Sequence, residues 1–455
     1  MAIQSKNPTT EKVEKVFEEF SESEVDMKIA KAHKAFQSWK NTTFKERGIL
    51  MLKLGKYLHE HTKEFSLLQT LEMGKNISSG PAGIEKCALL CEYYANNAEK
   101  ILAPEILSNS KGEQYVKFDP LGIILAVMPW NFPFWQVYRF AIPALMAGNV
   151  GLLKHASNVP QCAEIIEKSF REAGFPEGIF QNLFLSSARV ENVIRDPRVM
   201  AVTLTGSEKA GADVARIAGE EIKKSVLELG GSDPFIVFPD VNIKEVASHA
   251  INARLQNNAG QSCISAKRFI VHKSIATEFT KELVSQISKL IVGDPLNEKT
   301  NVGPLATEQI MLDVEKQVQK SVSLGAKIEY GGKRVGDIGY FYMPTVLSNV
   351  KKGMPAYDEE VFGPVMPVIL FENEEEMLQI ANDTPYGLGA SMWTKDTKKA
   401  KSLVSKIDAG NVFINRIVKS DPIAPFGGIK KSGFGRELGT YGIKEFVNIK
   451  NVSID

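Results

Sequence analysis

The stretch Asn258-Ala259-Gly260-Gln261-Ser262-Cys263-Ile264-Ser265 holds one of only four cysteines in the chain, set among small and polar residues. Gly260 permits a sharp bend and a close approach of backbone to ligand. Ser262 and Cys263 offer small side chains and free amides that can be aimed at an oxyanion. A thiol in this setting becomes a nucleophile if a base lies nearby or its pKa is lowered. The competing reading is a buried cysteine that packs as a small hydrophobe. Two further groups have the chemistry such a nucleophile needs. Asn131, inside Pro129-Trp130-Asn131-Phe132-Pro133, could offer its amide NH₂ to a developing oxyanion, or could cap the next helix. Glu228, ahead of Leu229-Gly230-Gly231, could deprotonate a water or a thiol, or could accept from the amides of its own loop.

A second set of groups suits a phosphorylated ligand. In Leu204-Thr205-Gly206-Ser207 the amides of Gly206 and Ser207 open a helix, and a pyrophosphate fits such an N-terminus. The stretch is neither a Walker loop nor G-x-G-x-x-G. Lys154, in Leu152-Leu153-Lys154-His155-Ala156-Ser157, could hold ribose hydroxyls or a phosphate, or could simply leave the sheet for solvent.

Each of these groups follows an apolar run that reads as a strand. Ile123–Met128 is apolar throughout, as a strand buried on both faces is. Val150–Leu153, Asn182–Leu185, Ala201–Leu204 and Pro234–Phe238 are further candidates, with helices at Gln161–Ala173 and Ala210–Ile217 between them. Beyond Cys263 the alternation resumes, with strands at Arg268–His272, Val368–Phe371, Ala390–Trp393 and Asn411–Ile414. The intervening helices are Ala276–Leu290, Glu308–Leu324, Glu374–Asn382 and Lys398–Ile407. This grammar predicts parallel sheets with helices on both faces, and ligands in such sheets bind at the carboxyl ends of the strands. Ahead of it, Ser21–Glu24 reads as a capping box and Val25, Ile29, Ala32, Phe36 and Trp39 as the apolar face of a helix. Gln114–Phe118 and Phe446–Ile454 alternate polar and apolar. They read as strands exposed on one face, suited to pairing across subunits.

Composition narrows the field. The chain has 455 residues, 44% hydrophobic and 24% charged, with net charge +1, so it shows no basic footprint for nucleic acid. No CxxC pair is present, and Cys87 and Cys91, four apart on a probable helical face, read as core rather than as metal ligands. Met1–Phe20 has no apolar h-region. The longest apolar run, Leu121–Trp135, contains Asn131 and two prolines and is shorter than the ~20 residues that span a bilayer. A cytoplasmic enzyme without metal, membrane or nucleic-acid partner is the expectation.

Taken together, Pro129-Trp130-Asn131-Phe132-Pro133, Leu204-Thr205-Gly206-Ser207, Glu228-Leu229-Gly230-Gly231, Gly260-Gln261-Ser262-Cys263, Glu360-Val361-Phe362-Gly363-Pro364 and Pro425-Phe426-Gly427-Gly428 resemble, in order and spacing, the aldehyde dehydrogenase superfamily over nearly the whole chain. The resemblance implies an α/β fold with a Rossmann-type dinucleotide-binding domain (1–111 and 124–230), an α/β catalytic domain (231–425) and a small β oligomerisation extension (112–123 and 437–455), assembled as a homodimer or homotetramer. It implies Cys263 as nucleophile, Asn131 and the Cys263 amide as oxyanion donors, and Glu228 as general base. Trp130, Lys154, Gly206, Ser207, Glu360 and Phe362 would contact the cofactor.

Within the family, a Glu commonly stands three residues after the lysine in enzymes that prefer NAD; here that position is Ser157, which a 2′-phosphate tolerates, so NADP is the expected cofactor with NAD possible. His155 stands where proline is usual. Arg139, close to Trp135, resembles the cation that grips a distal carboxylate in succinate-semialdehyde dehydrogenases of the short bacterial type, and Ser420 matches their second carboxylate contact, with Ser262 beside it. The competing reading of Arg139 is an arginine paired to an acid. A second arginine found in some of those enzymes is replaced by Asn257, and Ser265 replaces the second cysteine of redox-switched relatives. The resemblance thus implies oxidation of succinate semialdehyde to succinate through a cysteine thioester. The alternatives are another ω-carboxy or small aldehyde, such as glutarate semialdehyde, or a cofactor-independent cysteine hydrolase.

Overall fold

A computed structural model describes residues 3–107, 113–255 and 258–454; the expected boundary at Lys111 and Gly112, and Asn257, lie outside them. The first sheet has six strands in the order Gly433–Phe434, Lys224–Glu228, Val199–Thr205, Ile123–Met128, Val150–His155 and Phe180–Asn182. All neighbours are parallel except the short Gly433–Phe434 edge. From Ile123–Met128 the chain steps outward one way through Val150–His155, then returns to build Val199–Thr205 and Lys224–Glu228 on the other side. The strand order therefore reverses beside Ile123–Met128, and a crevice opens at the carboxyl ends there. Register aligns that edge: Met128 is level with His155, Val127 with Leu204, and Thr205 with Glu228.

The second sheet has seven strands, in the order Lys327–Tyr330, Thr345–Ser348, Val365–Phe371, Arg268–His272, Pro234–Val237, Gly389–Trp393 and Asn411–Ile414, parallel apart from the Lys327–Tyr330 edge. The cysteine stretch lies between the helix Ile243–Arg254 and the strand Arg268–His272 of this sheet, on the path by which a βαβ crossover rejoins it.

The third sheet joins Val447–Ile454, Glu113–Pro120 and Glu105–Ile106, all antiparallel. Gln114–Phe118 and the tail, expected to serve pairing across subunits, lie in strands that pair with each other within the chain, Val447 opposite Pro120 through to Ile454 opposite Glu113. Two eight-residue strands in continuous register satisfy one another's backbone groups, so the edges left open are the outer ones.

The capping box forms as read, with Ser21 and Glu24 bonding reciprocally at the start of the helix Glu22–Trp39. The polar N-terminus holds an unexpected hairpin, Ile3–Lys6 against Val13–Phe17. Its strands lack an apolar run because one of them is mostly exposed. The strand expected at Asn182–Leu185 sits earlier, at Phe180–Asn182, where the Phe180 ring stacks on Phe170 at 4.5 Å. The helix expected from Ala276 starts at Lys273, because the His272 side chain accepts from the Ser274 amide and caps it there.

Candidate active site

After the helix Ile243–Arg254 the chain turns through Ala259 and Gly260, both with positive φ (49° and 80°). A side chain at Gly260 would run into the carbonyl of Gly363, so only glycine lets the two loops touch. Gln261 is fully buried: its Nε2 donates to the Asn258 carbonyl at 3.2 Å and its Oε1 accepts from the Ala306 amide at 2.9 Å. The Ser265 hydroxyl donates to the Gly260 carbonyl at 3.2 Å and accepts from Arg254 at 2.8 Å. The Lys267 ammonium donates to the carbonyls of Ser262 and Cys263 at 2.8 and 2.7 Å. A trans peptide points its N–H opposite to its C=O. Fixing the Ser262 carbonyl on Lys267 thus turns the Cys263 N–H away from it, and that N–H has no acceptor among the described residues.

Asn131 docks on this loop. Its Nδ2 donates to the Gln261 carbonyl at 3.2 Å, its Oδ1 accepts from the Phe132 amide at 3.1 Å, and Asn258 donates back to the Asn131 carbonyl at 2.9 Å. His155, where the family favours proline, braces the same loop. Its Nε2–H donates to the Pro133 carbonyl at 3.0 Å while Nδ1 accepts from the Ala156 amide at 2.9 Å. Burial pushes this imidazole down to about 4, so it stays neutral and keeps that tautomer.

Glu228 is buried, and neither carboxyl oxygen has a hydrogen-bond partner among the described residues. Its own carbonyl accepts from the Gly206 amide at 3.0 Å, and its charge acts directly on Cys263. Burial pushes the Cys263 thiol up to about 12, drawn back in part by Arg139 and Lys267. Burial, and then the neighbouring Glu437, raise the Glu228 carboxyl well above the usual carboxylate range. A carboxyl raised this way is a stronger base than a solvated one, as abstraction of a proton from a thiol or water requires.

On the crevice side, Ser207 caps the helix Glu208–Glu220, its hydroxyl accepting from the Ala210 amide at 3.4 Å. Gly206 leaves open space in front of this helix end, since a Cβ there would meet only Leu204 at 3.4 Å. Lys154 is buried with a hydroxyl, Ser187 at 3.4 Å, as its hydrogen-bond partner, and burial lowers its pKa. Ser157 is half-buried, and its carbonyl accepts from Gln4 of the N-terminal hairpin at 3.1 Å. Glu360 accepts from the Gly231 amide at 3.0 Å and pairs with Lys267 at 3.2 Å; the Phe362 ring meets Trp130 edge-on at 5.9 Å.

From the other side a cavity of about 240 Å³ reaches Cys263, walled by Ser262, Trp135, Arg139, Ser420 and Lys86 among others. Among the described residues no Asp or Glu lines it, whereas three lysines and two arginines do. Arg139 differs from the expected free cation at the mouth. It is 2% exposed and ion-paired with the buried Glu437, its guanidinium stacked 4.9 Å from the Phe426 centroid. A helix residue this deep keeps its charge only beside a counter-charge, and the Glu437 segment supplies it.

Comparison with known proteins agrees with this geometry. The model of the aldehyde dehydrogenase family matches residues 1–452. The chain belongs to the aldehyde dehydrogenase family. A succinate-semialdehyde dehydrogenase (NADP(+)) 1 of Mycobacterium tuberculosis is 50% identical over 457 residues, and the corresponding Mycobacterium leprae protein 48%, each alignment covering 100% of both chains. A crystal structure of succinic semialdehyde dehydrogenase from Streptococcus pyogenes in complex with NADP+ superposes with a TM-score of 0.97 at 36% identity, covering 100% of both chains. The fold is accordingly that of an aldehyde dehydrogenase, with a Rossmann-like parallel sheet beside a second α/β sheet. Among the described residues no helix is long and apolar enough to cross a membrane.

The site of this aldehyde dehydrogenase contains groups that sequence reasoning passed over. Lys267 orients both the cysteine loop and Glu360, yet a lysine before a strand carries no local signal. Gln261 was visible inside the cysteine motif but not as a structural tie. Glu437 lies in a Gly-rich tail, 298 positions from Arg139. Lys86 and Lys75 sit in or near the helix Gly80–Ile101, which reads as scaffold.

Proposed function

We propose that this aldehyde dehydrogenase oxidises succinate semialdehyde to succinate, with NADP+ preferred and NAD+ possible. The observation that carries the reading is the cavity before Cys263, basic on its walls and free of acids among the described residues, which suits a small aldehyde bearing a carboxylate. The names of the M. tuberculosis and S. pyogenes relatives support it.

The crevice residues fit the cofactor. Lys154 is a buried cation bonded to a hydroxyl, Gly206 leaves room at a capped helix end, and a Cβ at Gly230 would collide with Glu360. Lys154 and Ser157 would hold the adenosine ribose and its 2′-phosphate, Gly206 and Ser207 the pyrophosphate, and Glu360, Phe362 and Trp130 the nicotinamide end. NADP+, when bound, supplies the hydride acceptor for the aldehyde carbon.

Cys263 acts as nucleophile: its sulfur bonds to the carbonyl carbon once Glu228 takes the thiol proton. Asn131 Nδ2 and the free Cys263 amide hold the oxygen as it gains charge, each worth ~3 kcal/mol. After oxidation the acyl group remains on Cys263 as a thioester. Glu228, once it has passed the thiol proton to solvent, takes a proton from water, the hydroxide adds to the acyl carbon, and the C–S bond breaks to release the carboxylate and restore the sulfur. Ser262, Trp135, Arg139 and Ser420 wall the substrate side. A cysteine hydrolase needs a histidine on the sulfur, and among the described residues no histidine lines this cavity.

We further read the first sheet and the second as cofactor and catalytic domains, and the outer edges of the third sheet as the contact of a homodimer or homotetramer in the cytoplasm. The test is absorbance at 340 nm with succinate semialdehyde, glutarate semialdehyde and butanal, each with NADP+ and NAD+. The highest kcat/KM belongs to succinate semialdehyde with NADP+; a higher value for another aldehyde, or a clear NAD+ preference, overturns that part.

A further inference from the structure

We propose that Lys75 is a site of reversible imine formation, at which its amine condenses with an aldehyde that has entered the cavity before Cys263. This needs only an aldehyde in that cavity and does not rest on the ω-carboxy reading above. Lys75 follows the helix Thr62–Met73, which ends at Gly74 in the left-handed region (φ 79°). The residue is 4% exposed and lines the cavity of about 240 Å³. Its Nζ stands 4.4 Å from the centroid of the Phe132 ring and 3.9 Å from where a Cβ of Gly83 would be, and both residues line the same cavity. The nitrogen itself therefore lies at the wall. Among the described residues no carboxylate pairs with it and no oxygen accepts from it.

An ammonium buried without acceptors is costly, whereas a neutral amine in the same place is tolerated. Burial accordingly holds Lys75 down at about 8. At about pH 7.5 roughly a quarter of the molecules then carry the free amine, against about one in a thousand for a solvated lysine. The other cations of the cavity are occupied or exposed. Ser420 Oγ at 2.7 Å and the Trp135 ring at 4.0 Å engage the Lys86 nitrogen. Arg139 pairs with Glu437, Arg254 donates to the Val361 and Val365 carbonyls, and Lys419 is exposed. In the proposed step the Lys75 lone pair bonds to the carbonyl carbon and an N–H proton passes to the oxygen. The carbinolamine then loses that hydroxyl with the second N–H proton as water, leaving a C=N bond. Nothing is oxidised or reduced, and water reverses the step. While the imine stands, its carbon chain fills the cavity, so aldehyde in excess blocks the way to Cys263.

The test treats the whole protein, without NADP+ so that oxidation does not compete, with succinate semialdehyde and sodium cyanoborohydride at about pH 7.5. Hydride reduces each C=N bond to a stable secondary amine, which peptide mass mapping locates. Lys75 is labelled about ten-fold or more faster than the exposed Lys53 and Lys351, and activity measured afterwards with NADP+ falls in step with that label. Lys75→Met keeps a stem against Phe132 and removes the amine, so the same treatment inactivates it about ten-fold more slowly than wild type. Lys75 left unlabelled, labelled no faster than Lys53 and Lys351, or labelled after Lys86 overturns the assignment, as does equal inactivation of wild type and Lys75→Met. Should Lys75→Met not fold, the wild-type protein decides alone: full activity in protein labelled at Lys75 overturns the blocking role.

Discussion

Replacing Asn131 by Asp tests the oxyanion pocket most directly, because the structure fixes which end of the amide faces the reaction. Oδ1 accepts from the Phe132 amide at 3.1 Å, and Nδ2 donates to the Gln261 carbonyl at 3.2 Å, which leaves one N–H of Asn131 for the substrate oxygen. Asn131→Ala deletes that donor. One oxyanion donor is worth ~2.7–4 kcal/mol, so kcat falls about 10²- to 10³-fold. The Gln261 carbonyl keeps its bond from Asn258 at 3.2 Å, and the loss of fold stability is held to about 1–2 kcal/mol. Asn131→Asp is nearly isosteric and keeps the bond from Phe132, but it sets an oxygen against both the Gln261 carbonyl and the developing charge. Its kcat therefore lies at or below that of Asn131→Ala although less volume is lost. The assay is steady-state kcat at 340 nm with saturating succinate semialdehyde and NADP+, alongside the rate of Cys263 alkylation by iodoacetamide to show that the thiol remains accessible. If Asn131→Asp turns over within ten-fold of wild type, or faster than Asn131→Ala, the side-chain amide is not an oxyanion donor.

Glu228→Gln removes the base and stalls the thioester, seen as a burst of reduced cofactor followed by slow turnover; a normal steady-state rate places the base elsewhere. The same variant carries a stability signature. Burial raises the folded-state pKa of Glu228, so its contribution to stability is full below the ordinary carboxylate value and is lost as pH rises through the folded one. Wild-type Tm therefore falls relative to Glu228→Gln between pH 5 and 8, the reverse order at pH 8 being the contrary result. Ser157→Glu brings a carboxylate toward the 2′-phosphate and lowers the NADP+ to NAD+ ratio of kcat/KM by about 100-fold or more, corresponding to ~3 kcal/mol for a like-charge contact near the surface; an unchanged ratio separates Ser157 from cofactor choice. Glu437→Gln leaves the Arg139 charge uncompensated in the interior, costs about 3–5 kcal/mol in urea unfolding, and lowers activity on succinate semialdehyde and butanal alike. A selective loss on succinate semialdehyde is the contrary result.

The strand ends were legible because a strand buried on both faces writes itself as an unbroken apolar run. Ile123–Met128 is such a run, and parallel register then brings its end at Met128 level with His155, and Thr205 of the neighbouring strand level with Glu228. The cysteine stretch was legible through glycine and small polar residues, and the positive φ of Ala259 and Gly260 shows what they permit. The Ile3–Phe17 hairpin was not, since Val13–Phe17 is mostly solvated and the short partner strand Ile3–Lys6 buries a serine beside its one isoleucine. Lys267 was not legible either: what makes it important is that the carbonyls of Ser262 and Cys263 turn toward it, a property of backbone direction rather than of residue type.

The two cations of the substrate cavity show where reading along the chain fails. Arg139 stands eight positions from Asn131, so it draws attention as the carboxylate contact. Availability of charge depends instead on what the fold returns to that place. The antiparallel bridge between Phe426 and Glu437 brings the Glu437 carboxylate onto the Arg139 guanidinium and the Phe426 ring across it, and a buried arginine is tolerated there because it is neutralised. Lys86 has the opposite history. It lies on a helix whose other polar positions face solvent, and nothing near it in sequence marks it. The loop before the Gly-rich segment carries Ser420 to its ammonium, and the Asn131 loop leads into Trp135 beneath it. Asp421 follows Ser420 on that loop and acts on the Lys86 charge, while burial, and then Arg139, draw the ammonium down to about 8. Arg139, although ion-paired, still draws the Cys263 thiol down, so pairing within the fold holds its charge in place beside the cavity rather than removing it.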